Sequence, residues 1–211
     1  MSFTGTKVVA VAKNYAKHVA EMGGAQPARV AFFIKPPSSV IFPGAAIVRP
    51  AHVRELHHEV ELGVVISRRC ARAAAADWRS YVRGYVIGLD MTARCLQAEA
   101  KRAGLPWTQA KCCDSFTPLS AELPAAALPD PHAAELWLRV DGAERQRGST
   151  RDMITQIPEL IAEISACMTL EPGDVILTGT PEGVGPVAPG EVITAGISGL
   201  VEVQFPVVAG V

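Results

Sequence analysis

Two glutamates, Glu59 and Glu61, stand immediately before the apolar run Leu62-Gly63-Val64-Val65-Ile66. Residues i and i+2 of a strand project from one face, so the two carboxylates would point together. Like charges beside a core are costly unless a cation or hydrogen-bond donors neutralise them. A third carboxylate, Asp90, closes a second apolar run, Gly84-Tyr85-Val86-Ile87-Gly88-Leu89. Three hard oxygen donors from two strands suit Mg2+ or Mn2+, with coordination positions left for water and substrate. Zinc is a poorer match, because no Cys or His cluster joins them. Plainer readings stand beside this one: the glutamates could line a solvent-facing strand edge, and Asp90 could cap a helix that starts nearby.

Short strands must position these groups. Apolar runs and alternations predict strands over residues 7–12, 30–35, 59–67, 84–90, 136–140, 174–178, 192–195 and 200–207, a mainly β chain. Helical texture is confined to residues 76–82, 94–103 ahead of Gly104, and 153–168, where Ile154, Ile157, Ile161, Ile164 and Met168 recur at helical spacing. Asp152 is placed to cap that last helix, and Glu171-Pro172-Gly173 breaks the chain after it. Asp141-Gly142 between alternating residues predicts a hairpin across residues 136–147. Residues 121–134, rich in Ala, Pro and Asp, read as a surface loop too short to link domains. With no internal repeat, residues 1–211 read as one domain.

Composition narrows the function. The chain has 211 residues, 49% of them apolar, enough for a sizeable core. Its 20 basic and 21 acidic residues give a net charge of -1, which offers no footprint for nucleic acid or an anionic membrane. No apolar run approaches the roughly 20 residues of a membrane helix. The N-terminus lacks a secretory pattern and reads as structure. Five cysteines, Cys70, Cys95, Cys112, Cys113 and Cys167, are odd in number without Cys-x-x-Cys spacing, as expected of reduced thiols in the cytoplasm. The neighbours Cys112 and Cys113 would point apart on a strand, which argues against a redox pair.

Several ordered blocks carry a resemblance through nearly the whole chain. They are Lys13-Asn14-Tyr15-Ala16-Lys17-His18, Phe33-Ile34-Lys35-Pro36, His57-His58-Glu59-Val60-Glu61-Leu62-Gly63, Leu89-Asp90-Met91-Thr92-Ala93-Arg94, Gly104-Leu105-Pro106-Trp107 through Lys111, and Leu177-Thr178-Gly179-Thr180-Pro181-Glu182-Gly183-Val184-Gly185. In these the sequence resembles the fumarylacetoacetate hydrolase family, and within it the short acylpyruvate hydrolases and oxaloacetate decarboxylases. The resemblance implies an α+β, mainly β fold, a mixed β-sandwich roll with short helices, usually dimeric. It makes Glu59, Glu61 and Asp90 the ligands of Mg2+ or Mn2+. His18 and Glu21 become a dyad in which the carboxylate orients the imidazole and His18 accepts a proton from water. Their spacing puts them one turn apart if residues 15–22 are helical, and Gly23-Gly24 would let the segment act as a lid.

The same resemblance sets Lys111 at the reacting carbonyl, where a fixed cation stabilises an oxyanion. Arg94 and Gln97 correspond to substrate-orienting residues, and Thr180 with Gly179 forms a turn suited to a substrate carboxylate. That turn has no Walker lysine pattern and is not a nucleotide site. His58 resembles a family position and reads as support for the ligands. Cys112-Cys113 after Lys111 departs from the family pattern. The leading expectation is hydrolysis of a carbon-carbon bond in a 3-acylpyruvate, a small 2-keto acid, to pyruvate and a carboxylic acid. Oxaloacetate decarboxylation, keto-enol tautomerisation or isomerisation of related 2-keto acids is the alternative. A non-catalytic metal-binding scaffold is the rival of a different class.

Overall fold

The strand Val60–Ile66 is buried at every position, as a strand with a core on each face must be. In the computed structural model, which describes residues 2–21, 23 and 28–210, it lies inside a mixed six-stranded sheet. In chain order the first half of the described chain forms β1 (Val8–Ala12), α1 (Ala16–Glu21), β2 (Ala31–Lys35), β3 (Val40–Ile41), β4 (Ile47–Arg49), β5 (Leu56–His58), β6 (Val60–Ile66), β7 (Val82–Leu89), β8 (Thr92–Ala93) and α2 (Arg94–Ala103). The second half forms α3 (Thr108–Lys111), β9 (Thr117–Pro118), β10 (Leu123–Pro124), β11 (Glu135–Val140), β12 (Ala143–Ser149), α4 (Ile157–Cys167), β13 (Val175–Leu177), β14 (Gly185–Val187), β15 (Val192–Ile197) and β16 (Val201–Ala209). Short helices on a mainly β frame are the α+β architecture expected.

The six-stranded sheet runs β10-β7-β6-β13-β1-β2, and a five-stranded sheet runs β12-β11-β15-β16-β4. Leu62, Val64, Ile66, Ile87 and Leu89 of the first share a core with Leu136, Leu138, Ile193 and Phe205 of the second, the face-to-face packing of a sandwich. The opposite face of the six-stranded sheet buries Val8, Ala10, Val65, Val86, Val175 and Leu177. Alternation along β6 puts Glu61 on that second face with Gly63 and Val65. Glu61 pairs with Gly88 of β7, so no side chain stands opposite its carboxylate. A Cβ at Gly88 would lie 2.5 Å from Leu177 Cδ2 and 3.1 Å from Leu119 Cδ2, so a side chain there would have to displace buried leucines.

The Asp141-Gly142 hairpin forms as expected, with φ of 49° and 81° at its two loop residues, the doubly left-handed turn that matches strand twist. The helix α2 also forms over the expected residues and ends on Gly104 in the left-handed region. Elsewhere the structure departs from the expectation. The helix expected from residue 153 starts at Ile157, with Gln156 and not Asp152 at its N-cap. Pro158 has no N–H for the Ile154 carbonyl and its ring would clash there, so the helix cannot extend further upstream. Residues 154 and 155 bond instead to Asn14. Residues 75–81 form a 3-10 helix, and the 121–134 segment contains the short strand β10. Cys112 caps α3 and neither it nor Cys113 lies on a strand. All five cysteines are unpaired. No helix among the described residues is long and apolar enough to cross a membrane.

Candidate metal centre and acid-base site

Glu59 falls in the break between β5 and β6, and its carbonyl accepts from Asp90 N at 2.9 Å. That bond joins the ends of β6 and β7 and brings Asp90, just past the end of β7, beside the Glu pair. Asp90 caps no helix, because Ala93 holds the N-cap of α2. Carboxylate oxygens of Glu59, Glu61 and Asp90 lie within 4.8 Å of one another, all three buried. The solvent-facing reading of the two glutamates does not describe the molecule.

Buried carboxylates this close require compensation. Lys111 Nζ donates to Glu59 Oε2 at 2.9 Å and to Asp90 Oδ2 at 2.5 Å. Lys35, with no exposed surface, donates to Asp90 Oδ1 at 2.6 Å and to the Lys111 carbonyl at 2.5 Å. Arg94 donates to Glu59 Oε1 and to Gln97 Oε1, each at 2.6 Å, and to His57 Nδ1 at 3.3 Å. Burial works to raise the Glu59 pKa, but Lys111 and Arg94 outweigh it and hold the carboxyl well below its usual range. For Lys111 burial works downward, and Asp90 and Glu59 outweigh it, so the ammonium holds its proton more tightly than usual.

Glu61 is different. Among the described residues it has no basic ion-pair partner, and its Oε2 accepts from Gly179 N at 2.6 Å. Burial, then the charges of Asp90 and Glu59, push its pKa well above the ordinary carboxylate range. The centre is therefore short of one cation at Glu61, and its donor set is all hard oxygen, which fits a divalent ion such as Mg2+ or Mn2+.

Four more of the predicted residues, His18, Gln97, Lys111 and Thr180, line the same cavity of about 40 Å³ with the three carboxylates, whereas Glu21, Arg94 and Gly179 are not part of its wall. His18 on α1 is buried, with Nδ1 3.5 Å from Glu21 Oε2, within ion-pair range but without a hydrogen bond. Burial lowers its pKa, opposed by Glu59 and Glu21. Glu21 is held by Gly183 N, 3.2 Å from each of its oxygens. Gly183 has φ +87°, and a Cβ there would come 2.1 Å from the Arg145 carbonyl. Gly179 lies in the same turn as Thr180 and serves through its N–H. Arg94, expected to orient the substrate, is engaged with Glu59, Gln97 and His57. His58 lies outside the carboxylate group and meets Gln146 Oε1 at 3.0 Å. The expected Gly23-Gly24 hinge and the helix end at Met22 fall partly outside the described residues, since Gly24 and Met22 are not among them.

Sequence reasoning gave no role to Lys35, Lys13, Lys101 or Gln146. Lys13 and Lys101 also line the cavity. Lys35 could be found through strand periodicity, because it sits two residues after Phe33, a wall residue, on one face of β2. Gln146 is reached only through tertiary packing, and nothing in its local sequence marks it.

Comparison with known proteins agrees with this geometry. The mitochondrial oxaloacetate tautomerase FAHD1 of Arabidopsis thaliana is 55% identical over 203 residues, covering 96% of this chain and 91% of that protein. The Homo sapiens FAHD1 is 49% identical over 203 residues, with 96% and 92% covered. The crystal structure of fumarylpyruvate hydrolase from Pseudomonas aeruginosa, in complex with Mn2+ and pyruvate, superposes with a TM-score of 0.92 at 35% identity, covering 97% of this chain and 90% of that one. The family model described as fumarylacetoacetate (FAA) hydrolase C-terminal matches residues 7–208, and the chain belongs to the fumarylacetoacetate hydrolase family.

Proposed function

We propose that this chain is a divalent-metal enzyme that interconverts the enol and keto forms of oxaloacetate. The observation that carries the reading is the charge around the cavity. Three carboxylates are met by Lys35, Lys111 and Arg94, and Lys101 lines the same wall. With a divalent cation held at Glu61 as well, the site would carry an excess of positive charge, which suits a dianionic keto acid better than a neutral or singly charged one. The identity to oxaloacetate tautomerases supports the same substrate.

Glu59, Glu61 and Asp90 would hold Mg2+ or Mn2+. When bound, the ion supplies Lewis-acid polarisation of the 2-keto group. The chain's own residues handle the proton. Burial lowers the His18 pKa, which favours the base form. That base takes a proton from C3 of the keto form, leaving the enolate, and then delivers the proton to the 2-oxygen to give the enol; the reverse transfer gives the keto form. Glu21 orients the ring, and Gly183 N fixes Glu21. Lys111 remains a cation and is a donor, not a base. Two of its three N–H groups go to Glu59 and Asp90, leaving the third for the substrate oxygen where negative charge develops. Thr180 and Gln97 position the substrate, and Lys101, 5.2 Å above the Trp107 ring, faces the distal carboxylate.

A second reading, hydrolysis of 3-acylpyruvates, is favoured by a separate feature. A chamber of about 420 Å³ lined by Phe32, Phe33, Ile34, Leu105, Pro106 and Trp107 adjoins the acidic cavity through Ala12, Phe33 and Trp107, and would take an apolar acyl group. In that reaction His18 activates water for attack on the distal carbonyl. Decarboxylation of oxaloacetate is a third outcome of the same binding mode and needs no water. Rates for enol-oxaloacetate ketonisation and for pyruvate release from oxaloacetate and acetylpyruvate, measured side by side, decide among them. Dominant ketonisation supports the tautomerase, and dominant pyruvate release from acetylpyruvate replaces it with the hydrolase.

The homodimer implied by the family resemblance, tested by light scattering, and action of residues 1–211 as one domain are also proposals. Five free thiols favour a reducing compartment. We place the chain in the cytoplasm, beside relatives whose names place them in mitochondria.

A further inference from the structure

Behind Thr180, away from the cavity, lies Gln146 of β12, 1% exposed. A bulge sets it there: Leu138 pairs with Gln146 and Arg139 with Glu144, so Arg145 is left out of register and Gln146 turns inward. Two groups that cannot change roles fix its amide. The Val60 N–H can only donate, so the atom 3.0 Å from it is Oε1. The Pro181 carbonyl can only accept, so the atom 3.1 Å from it is Nε2. His58 Nδ1, 3.0 Å from the same Oε1, must then carry a hydrogen and pins the amide from a second side.

With the amide fixed, Nε2 has one hydrogen left, and it goes to Thr180 Oγ1 at 2.8 Å. A hydroxyl has one hydrogen to give. Among the described residues no protein acceptor takes it. The Thr180 hydroxyl therefore accepts from the protein and offers its hydrogen to the cavity, whose wall also carries Glu61, Asp90 and His18.

We propose that Gln146 is a positioning residue that makes Thr180 a hydrogen donor toward the substrate, so that this wall selects an anionic oxygen, the carboxylate of a 2-keto acid. The inference rests on the 2-keto-acid reading above and deepens it. Gln146→Glu tests polarity at constant size. The introduced carboxylate can still accept from Val60 and His58 but cannot donate to Thr180. Thr180 then donates to that carboxylate and turns a lone pair toward the incoming substrate anion.

Pyruvate is the probe, titrated calorimetrically into Mn2+-loaded wild type, Gln146→Glu, Thr180→Val, Thr180→Ser and the Gln146→Glu/Thr180→Val double variant. The expected result is roughly tenfold weaker binding for each of Gln146→Glu and Thr180→Val, the scale of one lost hydrogen bond to a charged group. The double variant binds no more weakly than either, and Thr180→Ser binds like wild type. Additive losses in the double variant, or unchanged binding by Gln146→Glu, overturn the proposal. If Gln146→Glu does not fold, Gln146→Met keeps the volume without the donor and must show the same non-additivity with Thr180→Val. Wild type that fails to bind pyruvate sinks the 2-keto-acid reading together with this one. Wild-type binding without coupling between the two positions sinks this one alone.

Discussion

The Lys35 ammonium lies 2.6 Å from the Asp90 carboxylate and 2.5 Å from the Lys111 carbonyl, with no part of Lys35 exposed. One lysine thus fixes both a candidate metal ligand and the residue that bears the candidate oxyanion donor. Breaking a buried pair from one side leaves a charge uncompensated. Lys35→Met should lower stability by about 3 kcal/mol, read as a lower urea midpoint with unchanged slope. An unchanged midpoint would mean that Lys111 alone satisfies Asp90.

In the proposed reaction His18 would set the pH dependence. Its pKa is lowered from 6.5, mainly by burial, so the base form persists below that pH and activity should fall only as pH drops further. The unfolded chain takes up this proton more readily, so stability also declines as pH falls below 6.5. His18→Asn should cost about 10²- to 10⁴-fold in kcat and remove the acid limb of the profile. An acid limb that survives the substitution assigns the proton transfer to another group.

Lys111 touches two of the three carboxylates that would hold the cation. Removing it takes away a positive charge, so Lys111→Met should bind Mg2+ or Mn2+ at least as tightly as wild type. Loss of its N–H at the developing oxyanion should still lower kcat by about 10²- to 10³-fold. Weaker metal binding in calorimetry would show that Lys111 organises the ligands instead.

On the proposed reading Lys101 would separate substrates by charge. Lys101→Met should raise KM for oxaloacetate about fivefold to tenfold, the scale of one partly solvated charge contact. KM for acetylpyruvate, which has no distal carboxylate, should stay within about twofold. Equal shifts for both substrates would place Lys101 in packing and not in recognition.

Much of the site was legible because carboxylates before a buried run cannot be left alone. Glu59 and Glu61 announced themselves by spacing, and Asp90 by ending a second apolar run. The longer strands showed through apolar runs, and α2 through Gly104. The pieces that close the site carry no such signal: β5, β8 and β14 are two or three residues each, too short for any period to register. The start of α4 misled because isoleucine spacing continues upstream of Pro158, where backbone chemistry overrides the pattern. Lys35 and Gln146 act through partners 55 and 34 residues away in sequence, Asp90 and Thr180, contacts that only the folded chain reveals.

Everything proposed for the reaction depends on Glu59, Glu61 and Asp90 holding a divalent cation. The decisive quantity is the initial rate of enol-oxaloacetate ketonisation by metal-stripped protein before and after Mg2+ or Mn2+ is restored, in wild type and in Asp90→Asn. Background rates are expected without metal, with full recovery by wild type and none by Asp90→Asn. A full rate from metal-stripped protein, or recovery by Asp90→Asn equal to wild type, would refute a metal centre at these three carboxylates as the seat of the chemistry.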